Sequence, residues 1–135
     1  MKLAPILLAA GLLATACASR PPVDGQAPQS ANESANAHWQ ALRGDYTDCA
    51  RRQADAELPR SGTAQALADD ALKACRAQLE AVRVAFRDYL DAQMVSSHGR
   101  DSARQAANQV GRDTEAKTRA YLVRYIESER SRTAR

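Results

Sequence analysis

Three cysteines, two histidines and a few closely spaced carboxylates are the residues of this chain whose chemistry could go beyond packing: Cys17, Cys49, Cys75, His38, His98, and the pair Asp45 and Asp48. A thiol can be acylated, oxidised to a disulfide or bound to a metal, an imidazole can move protons or ligate, and two carboxylates one helical turn apart can act as acid and base. Ser96-Ser97-His98 also places a hydroxyl beside an imidazole. Each constellation falls short. Adjacent residues do not make a triad, and a serine with a histidine at a helix end is ordinary capping text. There is no His-Glu-x-x-His, no paired Cys-x-x-Cys, no Gly-rich phosphate loop and no Gly-x-Ser-x-Gly elbow. Asp45 and Asp48 read as solvated charges, as do Asp69 with Lys73 and Arg87 with Asp91 at helical ion-pair spacing. The expectation is a non-enzymatic protein with no catalytic residue, no metal site and no cofactor.

The elements that must position these residues read as helices. Trp39, Leu42, Tyr46, Cys49, Gln53 and Ala56 follow three-four spacing, and Leu58-Pro59 ends that run. Past the turn Arg60-Ser61-Gly62, Thr63 is suited to cap a second run in which Ala68, Leu72, Cys75, Leu79, Val82, Phe86, Tyr89 and Gln93 keep the rhythm. Ser97-His98-Gly99 reads as its stop, with Gly99 in the left-handed position after a helix. A third run, capped by Asp101 or Ser102, carries Ala103, Ala106, Ala107, Val110, Tyr121, Leu122, Tyr125 and Ile126. Its centre lacks large apolar residues, which predicts a kink or break near Gly111. No window alternates as a strand does. The fold class is therefore all-α, a small bundle of about three helices spanning about 36–58, 64–97 and 102–130.

The N-terminus supplies an address. Met-Lys precedes an apolar stretch from Leu3 to Leu13, followed by Ala14-Thr15-Ala16-Cys17-Ala18, the pattern of an export signal that is cleaved rather than folded. This segment resembles a bacterial lipoprotein precursor, which implies a signal peptide over residues 1–16 and a lipid-modified Cys17 as the first mature residue. The resemblance also implies, through Ala18 rather than Asp after the cysteine, delivery to the outer membrane facing the periplasm of a Gram-negative bacterium. Ala-x-Ala text serves ordinary signal cleavage equally well, so a soluble periplasmic product is the alternative. Residues 17–35, rich in Pro, Gly and small polar side chains, cannot bury enough apolar area to offset ordering entropy and read as a disordered tether for a helical domain over 36–135.

Export makes the two remaining cysteines informative. Both lie in apolar stripes, and their sequence midpoint is Gly62, in the turn. Two antiparallel helices folded back there advance at equal rates, about 1.5 Å per residue, so residues whose numbers sum to about 124 stand side by side. Cys49 then meets Cys75, Leu42 meets Val82, Trp39 lies near Phe86 and Tyr46 near Leu79. A Cys49–Cys75 disulfide stapling the hairpin follows, given an oxidising compartment. His38 and His98 sit about twelve residues apart on the same register, roughly 18 Å, too far to share a metal. The Cys-bearing hairpin, Tyr46–Ala92, also resembles those of small, uncharacterised two-cysteine helical proteins of the Gram-negative envelope, a likeness that carries no activity with it.

Twenty Val, Ile, Leu, Met, Phe, Trp or Tyr residues lie between Asn36 and the C-terminus, a thin supply for a core of this size, so the staple should matter for stability. A second face of the middle run, Leu67, Ala71, Ala74, Ala81, Ala85 and Ala92, is small enough for close approach, and the third run is expected to lay Tyr121 and Tyr125 over it. A self-associating hairpin is the rival arrangement. From Cys17 onward eighteen Lys and Arg face sixteen Asp and Glu, which does not suggest nucleic-acid binding. The basic excess sits at the C-terminal end, nine against five from Arg100 onward, where a frayed soluble helix end is the expectation. Function is expected to be docking onto an envelope protein or cell-wall component. The candidate partner face is the end of the middle run, Tyr89, Leu90 and Met94, beyond the reach of a shorter first helix.

Overall fold

A computed structural model describes residues 26–135, with side chains from residue 29 onward. The expected signal segment, Cys17 and the tether up to residue 25 lie outside the described residues. The architecture is all-helical, with four helices where about three were expected: α1 (Gln26–Glu57), α2 (Ala64–Ala74), α3 (Arg76–Asp91) and α4 (Ser97–Thr133). Among the described residues no helix is long and apolar enough to cross a membrane.

The hairpin turn is built from local signals. Pro59 stands two residues past the last residue of α1, and Leu58 before it is pushed out of helical geometry. Gly62 then takes φ +139°, which an L side chain resists. Thr63 stands extended, and its hydroxyl accepts from the Ala66 amide at 3.1 Å, satisfying one free donor of α2. Arg130 of α4 donates to the carbonyls of Arg60 and Gly62, so the far end of the chain clasps the turn.

Four element boundaries depart from the sequence reading. Helix α1 starts at Gln26 rather than about residue 36, because Gln29-Ser-Ala-Asn-Glu-Ser-Ala35 contains no proline and Pro28 falls in the first turn, where its missing amide hydrogen is not needed. The continuous middle run is divided at Cys75, whose backbone (φ −103°, ψ 18°) leaves helical geometry. The Cys75 amide bonds back three residues to Leu72, and its carbonyl receives both Gln78 and Leu79. Helix α3 then ends at Asp91, not near 97. Ser96, extended at φ −120° and ψ 158°, accepts from the Gly99 amide at 3.0 Å and caps α4. Ser97-His98-Gly99 therefore opens a helix instead of closing one. Gly99 is used for closeness, since a Cβ there would lie 3.0 Å from the Met94 sulfur.

Helix α4 also runs unbroken through Gly111. Its buried stripe is Ala103, Ala107, Gly111, Thr114, Thr118, Leu122 and Ile126, at helical spacing throughout but made of small residues in the middle. Gly111 lies where the stem of Arg83 crosses: a Cβ would stand 2.7 Å from both Cγ and Cδ of that arginine. Arg83 continues past it to bond Asn108 and Glu80.

Packing joins α1 to the α2–α3 arm and lays α4 over both halves of that arm, with a narrower contact between α1 and α4. Tyr46, Leu67, Cys75, Val82, Leu122 and Ile126 are the large fully buried side chains. Ala50, Ala54, Ala68 and Ala71 fill the gaps between them, which lets the helices approach closely. In α1 the core stripe turns to Ala50 and Ala54, leaving Gln53 and Ala56 exposed. The large side chains of α4 that are fully buried in the main core cluster are Leu122 and Ile126. Tyr121 and Tyr125, expected over the alanine strip, instead stack on each other at 6.0 Å, and the Tyr125 hydroxyl donates to Asp55 of α1.

Candidate functional site

Cys49 and Cys75 form a disulfide with Cα atoms 6.0 Å apart, Cys75 fully buried and Cys49 nearly so. Higher along the seam Trp39 meets Phe86 edge to face at 4.7 Å, with the indole N–H donating to Asn36 at 2.8 Å. The staple stands at the joint between α2 and α3, inside the main core cluster. Sulfurs so enclosed are structural and offer no accessible thiol.

The other sequence-derived candidates are scattered. His38 and His98 are both exposed, on α1 and in the first turn of α4. The Ser96 hydroxyl caps α4 by accepting from the Gly99 amide. Among the described residues no group of three or more His, Cys, Asp or Glu could hold a metal ion. Asp69 pairs with Arg119 across to α4, not with Lys73, whose carboxylate neighbour is Asp70 at 3.9 Å. Arg87 and Asp91 do meet, at 3.8 Å. Of the partner face, Tyr89 and Leu90 are half-buried, because α1 begins early enough to run alongside α3 to its end. Ala35, which the register sets opposite Tyr89, is the one residue from 29 to 38 that is half-buried and not exposed. Exposed apolar surface at this corner is confined to Met94 and to Val95, which is 100% exposed in the α3–α4 connection.

Several grooves flank α4, and two of them run along its middle. The first, about 670 Å³, lies between α4 and the α2–α3 joint. Most of its charge is already spent: Arg119 grips Asp69 through two nitrogens at 2.6 and 3.1 Å, and Arg83 holds Glu80 at 2.7 Å. Hydrogen bonding from Arg119 is what keeps the Asp69 carboxyl below the usual carboxylate range. Glu115, on the rim, acts on Tyr46 beneath. The Tyr46 hydroxyl is buried without a hydrogen-bond partner, and burial first, then the Glu115 charge, push its pKa up to about 12.

The second groove, about 510 Å³, follows the narrower seam between α1 and α4. Its cations are not spent on carboxylates. Arg43 donates only to the Gln40 amide oxygen, at 3.1 Å, while its guanidinium lies 5.4 Å from the Trp39 ring centre and its buried Nε has no partner. Lys117 and Asp48 make no ion pair at all. On the floor, Thr118 is 4% exposed and shares its hydroxyl with Thr47 at 3.5 Å, whereas Thr114, 5% exposed, makes no hydrogen bond. Gly44 lines one wall, and a Cβ there would meet nothing within 4 Å. Sequence reasoning missed this seam because its floor is threonine. The signals were Thr114 and Thr118 continuing the spacing of Ala103, Ala107 and Gly111, and a glycine placed inside a helix four residues before Asp48.

The chain matches no protein-family model, no curated protein and no solved structure.

Proposed function

We propose that this protein is a non-enzymatic module of the Gram-negative cell envelope, lipid-anchored through Cys17 to the outer membrane on its periplasmic side, whose helical bundle engages an envelope protein or cell-wall component. The observation that carries this reading is the disulfide set into the core. A staple between two buried cysteines at matched heights needs an oxidising compartment to form, and the apolar run ending at Cys17 supplies a route there. Residues 18–25 act as a spacer that holds the bundle off the bilayer. The face formed by Tyr89, Leu90 and Met94, with the exposed Val95 beside it, is its protein-facing surface.

Labelling of cells with a palmitate analogue tests the anchor. Label on the wild-type protein that is lost in Cys17→Ser, with release of that variant into the soluble periplasmic fraction, is the expected result. A wild-type protein that carries no label and is recovered in the soluble fraction would replace this reading with that of a secreted, unanchored binding or inhibitory protein.

A further inference from the structure

We infer that the groove between α1 and α4 binds a sugar bearing a single carboxylate, with Arg43 and Lys117 receiving the charge and Asp48, Thr114 and Thr118 receiving the hydroxyls. This inference deepens the envelope reading above and rests on it for the source of the ligand, a carboxylated saccharide of the cell wall or cell surface.

The argument starts from what the groove leaves unsatisfied. Thr114 is almost wholly buried as a residue, and its hydroxyl, which no protein group meets, opens on the groove. Arg43 keeps a buried Nε donor unpaired in the same seam. Several arginines of this bundle are held by carboxylates: Arg119 by Asp69, Arg83 by Glu80, Arg104 by Asp101 and Arg132 by Glu129. Arg43 and Lys117 have no carboxylate partner among the described residues, and they line one cavity. Two free cations beside one free carboxylate leave room for one negative charge.

The remaining groups choose between anions. Asp48 repels a bare multiply charged anion but accepts hydrogen bonds from sugar hydroxyls. The Gln40 amide and two threonine hydroxyls offer further donors and acceptors, and Tyr121, 36% exposed, presents an aromatic ring at the edge. A cavity of about 510 Å³ accommodates one or two sugar rings. Gly44 fits the same reading, because its missing side chain keeps open the wall that any other helix-forming residue would fill.

The test is a proton–nitrogen NMR titration of the purified full-length protein in detergent micelles, using sodium glucuronate as probe, with glucose and inorganic phosphate in parallel. Saturable shifts centred on Gly44, Thr114 and Thr118 are expected with glucuronate, and binding of glucose and of phosphate should be weaker by about ten-fold or more. Lys117→Gln and Gly44→Met should each weaken glucuronate binding by about ten-fold. Gly44→Met should melt no lower than wild type, since it gains helix propensity and meets no neighbour, so a loss of binding is not a loss of fold. Absence of saturable shifts, phosphate binding as tightly as glucuronate, or unimpaired binding by Gly44→Met would each overturn the proposal. Palmitate labelling is read separately, so the groove can fail while the anchor stands.

Discussion

Opening the Cys49–Cys75 bridge is the perturbation whose magnitude follows most directly from the structure. The two residues are 26 apart, and in the chain-entropy account closing such a loop restricts the unfolded chain by about 3.5 kcal/mol. Folded domains of this size hold only about 5–15 kcal/mol in total, and the core here depends on a handful of large side chains with alanines between them. With an unfolding entropy of about 2.1 cal/mol/K per residue over the described chain, the loss corresponds to a fall in melting temperature of about 15 °C. The helices should persist at room temperature, because α4 packs on both halves of the second arm and Arg130 clasps the turn independently of the sulfurs. Far-ultraviolet circular dichroism melts of the oxidised protein, of the protein under a phosphine reductant, and of Cys49→Ala with Cys75→Ala provide the comparison. Both treatments should lower the midpoint by a similar amount with little change in the starting helicity. A fall of less than about 4 °C would refute the reasoning, since it would mean that the staple restricts the unfolded chain by about 1 kcal/mol or less.

Two glycines make a contrasting pair. Gly44→Ala should raise the melting temperature, by about 1 kcal/mol of helix propensity, because nothing lies within 4 Å of the new methyl group. Gly111→Ala should lower it, because the same gain is exceeded by pushing the Arg83 stem off contacts at 2.7 Å and away from Asn108 and Glu80. Thermal melts of both variants check the opposite signs. For Tyr46, the folded-state pKa is raised above the unfolded value near 10, so the neutral phenol's contribution is intact below pH 10 and is lost as pH rises from 10 towards about 12. Denaturant titrations should therefore show wild type weakening across that window, while Tyr46→Phe weakens less. At pH 7 the Phe variant should be more stable by about 1 kcal/mol, since it removes a buried hydroxyl that has no partner.

The hairpin was legible because its signals are local and redundant. Pro59, Gly62 and Thr63 mark the turn chemically, and the cysteines lie symmetrically about it, so one register accounts for both the bridge and the Trp39–Phe86 contact. Helix α4 was harder to read because Gly111, Thr114 and Thr118 do not count as apolar, although they are what the stripe buries. A search for large hydrophobic residues sees a gap where the packing needs small ones. The break at Cys75 has neither proline nor glycine beside it, so no backbone signal announces it. Ser96 was overlooked as a cap because Gly99, three residues on, looks like a helix stop when read alone. As for the grooves, polar residues that end up buried without partners look in sequence like any other surface text. Only the neighbours that fail to reach the Arg43 Nε distinguish it.

One measurement reaches the central claim, that oxidation joins two antiparallel helices of an exported, anchored protein. Protein isolated from cells without reductant is alkylated, digested with trypsin and mapped by mass spectrometry. Cleavage after Arg43, Arg51, Lys73 and Arg76 should release Gly44–Arg51 joined to Ala74–Arg76 through their single cysteines, together with an acylated N-terminal peptide beginning at Cys17. Recovery of Cys49 and Cys75 as separate alkylated thiols, or of either one bonded to Cys17, would contradict the account.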